Sequence, residues 1–390
     1  MMKLKTPIEL VAHYKIVTPM FLGGEYQRAD QTHFRNASFK GALRFWWRAL
    51  NWGAAFKDAG SQQAAALSLL HEREGKLFGL ASDGENSKQS CVQIHSELRG
   101  AMVSKANLPN HTYLLGMGLY NYKEGMLRDY LQGGNLTIRL TFKTKTKEED
   151  IASVQQAAIA LGLFGGLGSR SRKGFGSLAL QKVELPGNNE LNFTTEESIQ
   201  KFVQGLDFYS PADAPFSALT RATRIDISAT KSSAMDALAA INTELQLYRS
   251  FGQNGKVGSF QARRNFISDH DNVLAATLNT PLQALPKRAV FGLPHNYFFS
   301  SSKAKLDINV EDEARRASPL LVHVHALGDG KFIAIQTLLQ SQFLPATTGV
   351  EAKKDRAAPQ RIANTAVDYG VISRYMDGFN NKKTLRAAQQ

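Results

Sequence analysis

Apolar and polar residues alternate partially along Ile8-Glu9-Leu10-Val11-Ala12-His13-Tyr14-Lys15-Ile16-Val17, and cleanly along Thr137-Ile138-Arg139-Leu140-Thr141-Phe142-Lys143. A period of two predicts strands with one buried face. In between, the spacing changes to three and four. Phe39, Leu43, Trp46 and Leu50 predict a helix over 39–51, with Ser38 as its N-cap and an end near Gly53. The pattern further predicts a helix over 61–74, a polar loop over 82–90, and strands over 91–98, 112–122 and 135–145. An Ala-rich helix over 149–164, a glycine-rich loop over 165–176 and a strand over 177–185 follow.

Strand, helix, strands, helix, strand is the ferredoxin-like order, which is also that of the RNA-recognition motif. Pro186-Gly187-Asn188-Asn189 punctuates its end, and Thr194 with Glu197 offers a capping box for a connecting helix. The second half repeats the order with more decoration. It has predicted strands over 221–229, 289–299, 320–327 and 331–339, a helix over 234–251, a linker over 346–360 and a terminal helix over 360–379. The predicted class is α+β: two ferredoxin-like (RNA-recognition-motif-like) domains with helical insertions, over 1–190 and 191–390.

Composition narrows the function. The chain has 390 residues, enough for two or three domains, and its 43% hydrophobic content is ordinary for a globular protein. No apolar run approaches the roughly 20 residues that span a bilayer, and the start Met1-Met2-Lys3-Leu4-Lys5-Thr6-Pro7 lacks an apolar signal core; the expected location is cytoplasmic. One cysteine, Cys91, excludes an intrachain disulfide and a multi-cysteine zinc site. Net charge is +13, and the excess is clustered. Residues 1–50 hold 8 basic and 3 acidic side chains, 251–300 hold 5 and 2, and 351–390 hold 8 and 4. Local excess of this kind suits a polyanion, because neutralised phosphates release counterions.

Two segments concentrate that charge. In Arg35-Asn36-Ala37-Ser38-Phe39-Lys40-Gly41-Ala42-Leu43-Arg44-Phe45-Trp46-Trp47-Arg48-Ala49-Leu50, the apolar stripe is core, and Lys40, Arg44 and Arg48 repeat at i,i+4. Three like charges so placed repel one another and need a counter-charge. Phosphate would supply it, and so would acidic residues elsewhere. On the RNA reading, Arg44→Ala with Arg48→Ala leaves stability unchanged or raised. The second segment is Gly165-Gly166-Leu167-Gly168-Ser169-Arg170-Ser171-Arg172-Lys173-Gly174-Phe175-Gly176. Its glycines let backbone N–H groups approach a ligand, with Arg170, Arg172 and Lys173 as charge and Ser169 and Ser171 as short donors. Lys173-Gly174 has the wrong order for a P-loop, and the glycine spacing fails the dinucleotide fingerprint, so no cofactor is expected. The polar loop is expected to be exposed. A weaker patch over 251–266 interleaves Phe251, Phe260 and Phe266 with Lys256, Arg263 and Arg264.

The first two segments resemble the RAMP superfamily of CRISPR effector proteins. The likeness lies in Ser38-Phe39-Lys40-Gly41-Ala42-Leu43-Arg44-Phe45-Trp46-Trp47-Arg48-Ala49-Leu50, the Thr18-Pro19-Met20-Phe21-Leu22-Gly23-Gly24 opening, and the glycine-rich loop before a last strand. The Trp-Trp-Arg version is similar to the first-subunit family of the type III-B Cmr complex. Arg315-Arg316-Ala317-Ser318-Pro319-Leu320 and Ser341-Gln342-Phe343-Leu344-Pro345 are similar to its C-terminal domain. The resemblance implies two ferredoxin-like domains, contact with the 3′ portion of the CRISPR guide RNA, assembly with other RAMP subunits, and indirect contact with target RNA. The expected RNA-binding residues are Lys40, Arg44, Arg48, Gly166, Gly168, Ser169, Arg170, Ser171, Arg172, Lys173, Arg263 and Arg264; Arg315 and Arg316 are candidates for phosphate or a neighbouring subunit.

The leading expectation is therefore a non-catalytic RNA-binding and assembly subunit, with no metal and no membrane partner. Some RAMP proteins process RNA, so the alternative is a metal-independent endoribonuclease using His13 or His33. A pure scaffold is the third reading. His323 and His325 share one strand face, but two ligands are too few for a metal site.

Overall fold

Ile8–Ile16 (β1) is the central strand of a five-stranded antiparallel sheet. Val92–Arg99 (β2), Asn135–Phe142 (β3), Leu178–Leu185 (β4) and Asn189–Asn192 (β5) complete it, in the order β2-β3-β1-β4-β5. Leu10, Ala12, Tyr14 and Ile16 are buried, while Glu9 and Lys15 are exposed, as alternation demands. The computed structural model describes residues 7–23, 28–32, 34–80, 89–187, 189–252, 254–354 and 357–389. The N-terminal Met1–Thr6, Gly24, His33, most of the predicted 82–90 loop, Asn188 and Gln253 lie outside the described residues.

Asn36–Asp58 (α1) is longer at both ends than its pattern predicts. Arg35, not Ser38, holds the N-cap position, and it makes no capping bond. A tertiary anchor replaces the local cap: the Asn36 amide donates to the Ile94 carbonyl at 3.3 Å and accepts from Ser96. Gly53 lies inside the helix, against Asp207 and Ser210, where a Cβ would make only ordinary contact, 3.5 Å from the Asp207 carboxylate. Gln63–Phe78 (α2) packs on α1.

Glu148–Phe164 (α3) explains its alanines. It lies between the first sheet and a second one, touching β1 and β4 on one side and the second sheet on the other. Ile151, Val154 and every residue from Ala157 to Phe164 are buried. From Ala157 on the helix is enclosed all round and has no polar face, and small residues let both sheets approach it. Its apolar residues and those of the first sheet form one core that also takes in Ile225, Ile227, Ile333 and Ile335 from the second half.

The second half is built like the first. Glu196–Gln204 (α4) connects the two, capped by Thr195 with Ser198, one residue from the predicted box. Then come Arg224–Ile227 (β6), Ala234–Arg249 (α5) and Ile267–Thr277 (α6). The chain continues through His295–Phe298 (β7), Lys305–Val310 (β8), Leu320–Ala326 (β9), Phe332–Leu338 (β10) and Val350–Lys353 (β11). Gln360–Arg361 (β12), Gly370–Asp377 (α7) and Lys383–Arg386 (β13) end it. The second sheet runs β9-β10-β6-β13, all antiparallel. In both sheets the first strand is central, the third and fourth flank it, and the second lies outside the third. A separate sheet, β7-β8-β11-β12, is inserted into the second half.

Four predicted elements are corrected. The 112–122 strand is a helical turn, Thr112–Leu115, ended by Gly116 at φ 61°, followed by a hairpin pairing Tyr120–Asn121 with Gly125–Met126. Leu114 and Leu115 are buried with α5 instead of alternating. The 289–299 strand shrinks to β7 behind a 3-10 turn at Lys287–Phe291. The 346–360 linker contains β11, held by a distant partner, β8, that local patterning missed. The 360–379 helix begins only at Gly370, whose N–H bonds the Asp368 carboxylate at 2.7 Å.

Candidate nucleic-acid interface

The basic stripe on α1 has its counter-charge inside the protein. Arg44 Nε and Arg48 Nη1 both donate to Glu74 Oε1, at 2.7 and 2.6 Å, and Glu74 on α2 is buried. Lys40, one turn earlier, makes no ion pair among the described residues; burial, then Arg44, lowers its pKa. Trp46 and Trp47 are buried, and the Trp47 indole donates to Ser153 Oγ at 2.9 Å, so both tryptophans serve packing. The structure thus corrects the expected neutral effect of removing Arg44 and Arg48.

The glycine loop is a hydrogen-bonded clasp, not an open cradle. Leu167 N–H goes to Gly176 O, Ser169 N–H to Phe21 O, Ser171 N–H to Gly168 O, Lys173 N–H to Arg170 O and Gly176 N–H to Pro19 O. Gly168 (φ 86°) is required because a Cβ would stand 2.6 Å from the Phe21 carbonyl oxygen. Gly174 (φ 85°) is pressed on Leu238 of α5 and Val322 of β9. The loop's backbone donors are therefore largely used within the protein, and the side chains remain to meet a ligand. Arg170 holds φ 65°, a left-handed conformation uncommon outside glycine and asparagine. Gly166 and Gly168 are partly buried parts of the clasp; Ser169 and Ser171 are half-buried beside it.

The loop also lies against the second half, which corrects the expectation of an exposed polar turn. Arg172 donates across to Ser318 O at 2.6 Å; within the first half it stacks over Phe45 at 5.1 Å, and Arg170 Nε donates to Leu115 O at 2.8 Å. Val322 N–H bonds Arg172 O. This packing gathers cations from both halves. The neighbouring charges acting on Arg170, Arg172 and Lys173 are all positive: Arg315 on Arg170, Arg316 on Arg172, and Arg249, Arg170 and Arg172 on Lys173. Burial first, then these neighbours, push Lys173 down to about 7 and Arg172 down to about 10. Nε of Arg249 and Nε of Arg316 are buried without an acceptor. Arg249 at the end of α5 is the member that sequence reasoning missed. Its only sign was a basic last turn before a Gly-rich segment.

Arg263 and Arg264 lie elsewhere. Both terminal nitrogens of Arg263 are held by Glu244, at 2.8 Å for the Nη2 bond, and Arg264 stacks over Phe251 at 5.2 Å. The open face of the first sheet is likewise occupied by its own pairs. Arg139 bonds Glu9, Arg99 bonds Glu97, and Glu184 binds both His13 (3.0 Å) and Lys182 (2.9 Å). Its outward positions carry no Phe, Tyr or Trp among the described residues, and their ring side chains are the imidazoles of His13 and His95. That differs from RNA-recognition sheets, which stack bases on aromatics.

His323 and His325 are buried connectors. His323 Nδ1 bonds Gly165 O at 2.6 Å, His325 Nε2 bonds Phe193 O at 2.7 Å, and His323 Nε2 lies 3.4 Å from His325 Nδ1. Burial is the first cause that pushes them down to about 3 and about 4. Between those values and about 6.5 the unfolded chain binds more protons, so their contribution is intact above pH ~6.5 and is lost as pH falls. Melting should drop between pH 6.5 and 4 by the equivalent of up to ~3 kcal/mol per ring. A His325→Gln variant should show a shallower slope over that window. Identical slopes would contradict the burial account. Among the described residues no group of three or more His, Cys, Asp or Glu converges as a metal site.

Residues 13–179 match the RAMP superfamily model. CRISPR system Cmr subunit Cmr1-1 of Pyrococcus furiosus is 28% identical over 175 residues, covering 44% of this chain and 48% of that protein. The chain thus spans about half the length of that curated relative. The crystal structure of Cmr1 from Pyrococcus furiosus (apo form) superposes with a TM-score of 0.53 at 17% identity, over 98% of this chain and 99% of that one. A chain of the type III-B Cmr-beta complex bound to cognate target RNA, seen by cryo-EM, gives 0.50 at 12% identity over 87% and 96%. At these identities the likeness shows a shared fold.

Proposed function

We propose that this chain, which carries the RAMP superfamily module over residues 13–179 and shares the fold of Pyrococcus furiosus Cmr1, is a non-catalytic RNA-binding and assembly subunit of a type III-B CRISPR effector complex. The observation that carries this reading is the unopposed cation cluster where the halves meet. Arg170, Arg172 and Lys173 from one half face Arg249, Arg315 and Arg316 from the other. Cations gathered without a carboxylate raise the energy of the free protein, and a phosphate chain lowers it. The ligand is guide RNA, held toward its 3′ portion, with target RNA reached through it and sister RAMP subunits alongside. The chain works in the cytoplasm; no described helix is long and apolar enough to cross a membrane.

Two ferredoxin-like domains, over 1–190 and 191–390, are the fold behind this reading. The common strand order of the two sheets supports it. The clasp belongs to the first domain and β9 to the second, so the RNA path runs along their junction.

The endoribonuclease alternative rests on His13, whose ring is partly exposed and paired with Glu184. His33 lies outside the described residues. Incubation of the purified chain with end-labelled guide RNA separates the two. Retention of intact RNA is expected. Cleavage that disappears in His13→Ala would overturn the non-catalytic assignment.

A further inference from the structure

The two most exposed large apolar side chains among the described residues are Tyr122 and Met117, at 88% and 78%. Met117 lies in the turn that follows Thr112–Leu115, and Tyr122 at the tip of the hairpin beyond it. Its foot is rigid. Leu115, Leu119 and Met126 are buried in the same cluster as Phe175 of the clasp and Leu238 and Ile241 of α5. Its tip carries Tyr122, met on one side by the edge of Tyr120 at 5.5 Å between centroids.

The hairpin starts at the cation cluster. Arg170, whose Nε holds Leu115 O, lays its guanidinium against Gly116 and Gly118, with Nη2 3.0 Å from where a Gly116 Cβ would stand. Gly118 and Tyr122 are four residues apart, so their Cα atoms are at most ~14 Å apart. A solvent-facing aromatic ring on a hairpin with a packed foot therefore stands within a short reach of unopposed cations. Single-strand binders combine these two elements: charge for the backbone and a ring for the base. Two projecting side chains are too small an area for a stable protein contact of roughly 800 Å² per partner. Lys123 and Glu124 at the tip cancel, so charge selection lies at the foot.

We propose that Tyr122 is a stacking platform for an unpaired RNA base whose neighbouring phosphates sit on the cation cluster. This rests on the RNA-binding reading above and adds where the base goes. The test uses the full chain and single-stranded RNA carrying 2-aminopurine. Wild type should quench the fluorophore on binding. Tyr122→Ala should lose the quench and bind roughly 5- to 100-fold more weakly, with an unchanged salt slope, while Tyr122→Phe should keep both. Equal affinity and quench in Tyr122→Ala, beside salt-sensitive binding by wild type, would overturn the platform and leave the RNA-binding reading intact. Wild type that fails to bind RNA overturns both. If Tyr122→Ala loses co-purification with sister subunits at unchanged RNA affinity, the tip is a protein contact and the platform is wrong.

Discussion

Replacing Lys173 and Arg315 together by Ala is expected to weaken single-stranded RNA binding by roughly 2–4 kcal/mol without lowering the melting temperature. Both effects have one cause. Lys173 is half-buried near Arg249, Arg170 and Arg172, and Arg315 acts on Arg170; among the described residues none of these charges forms an ion pair with a carboxylate. Their loss relieves repulsion in the free protein and removes the attraction for phosphate in the complex. The pair is chosen because neither side chain makes a hydrogen bond or ion pair among the described residues. Arg170 and Arg172 are unsuitable, since each holds a carbonyl, Leu115 O of the first half and Ser318 O of the second. Their removal would cost stability as well, about 1.5–3 kcal/mol for each charged hydrogen bond. Melting followed by RNA titration on the double variant checks the prediction. A lower melting temperature with unchanged affinity would make the cluster structural.

Arg44→Ala with Arg48→Ala is expected to destabilise the chain by about 3–5 kcal/mol, because it leaves the buried Glu74 carboxylate unpaired. Both guanidiniums are about one-third exposed, which places the outcome toward the lower end. Adding Glu74→Gln should restore most of the loss, since the uncompensated charge then disappears. Thermal melting of the double and triple variants tests this. Equal melting of wild type and the double variant would return the stripe to the role of solvent-facing RNA contacts.

Much of this was legible in the sequence. The alternation in β1 and β3 and the 4-3-4 apolar spacing on α1 mark faces that the fold buries. The Ala-rich run predicts α3 almost to the residue, since a helix packed on both sides leaves a continuous small and apolar signature. The failures share a reason: each concerns a partner far away in the chain. Arg44 and Arg48 read as free charges because Glu74, 26 residues beyond Arg48, shows no link to them in sequence. β11 read as linker because its ladder to β8 is non-local. Arg249 read as an ordinary basic helix end, and only folding sets it beside Lys173. The glycines read as openings for a ligand, and the structure gives them another task. They serve its close packing on Phe21 and β9, and that packing presents the cations.

The most direct measurement is the salt dependence of RNA affinity for wild type and Lys173→Ala/Arg315→Ala. It is best made at pH 6.5, where a Lys173 pKa of about 7 leaves the ammonium mostly charged. With about four to six phosphates neutralised, log K against log salt should fall with a slope of roughly −3 to −4 for wild type. Two lost contacts should make the double variant shallower by about 1.4. Equal slopes in the two proteins would place the phosphates elsewhere and contradict an RNA path along the junction of the halves.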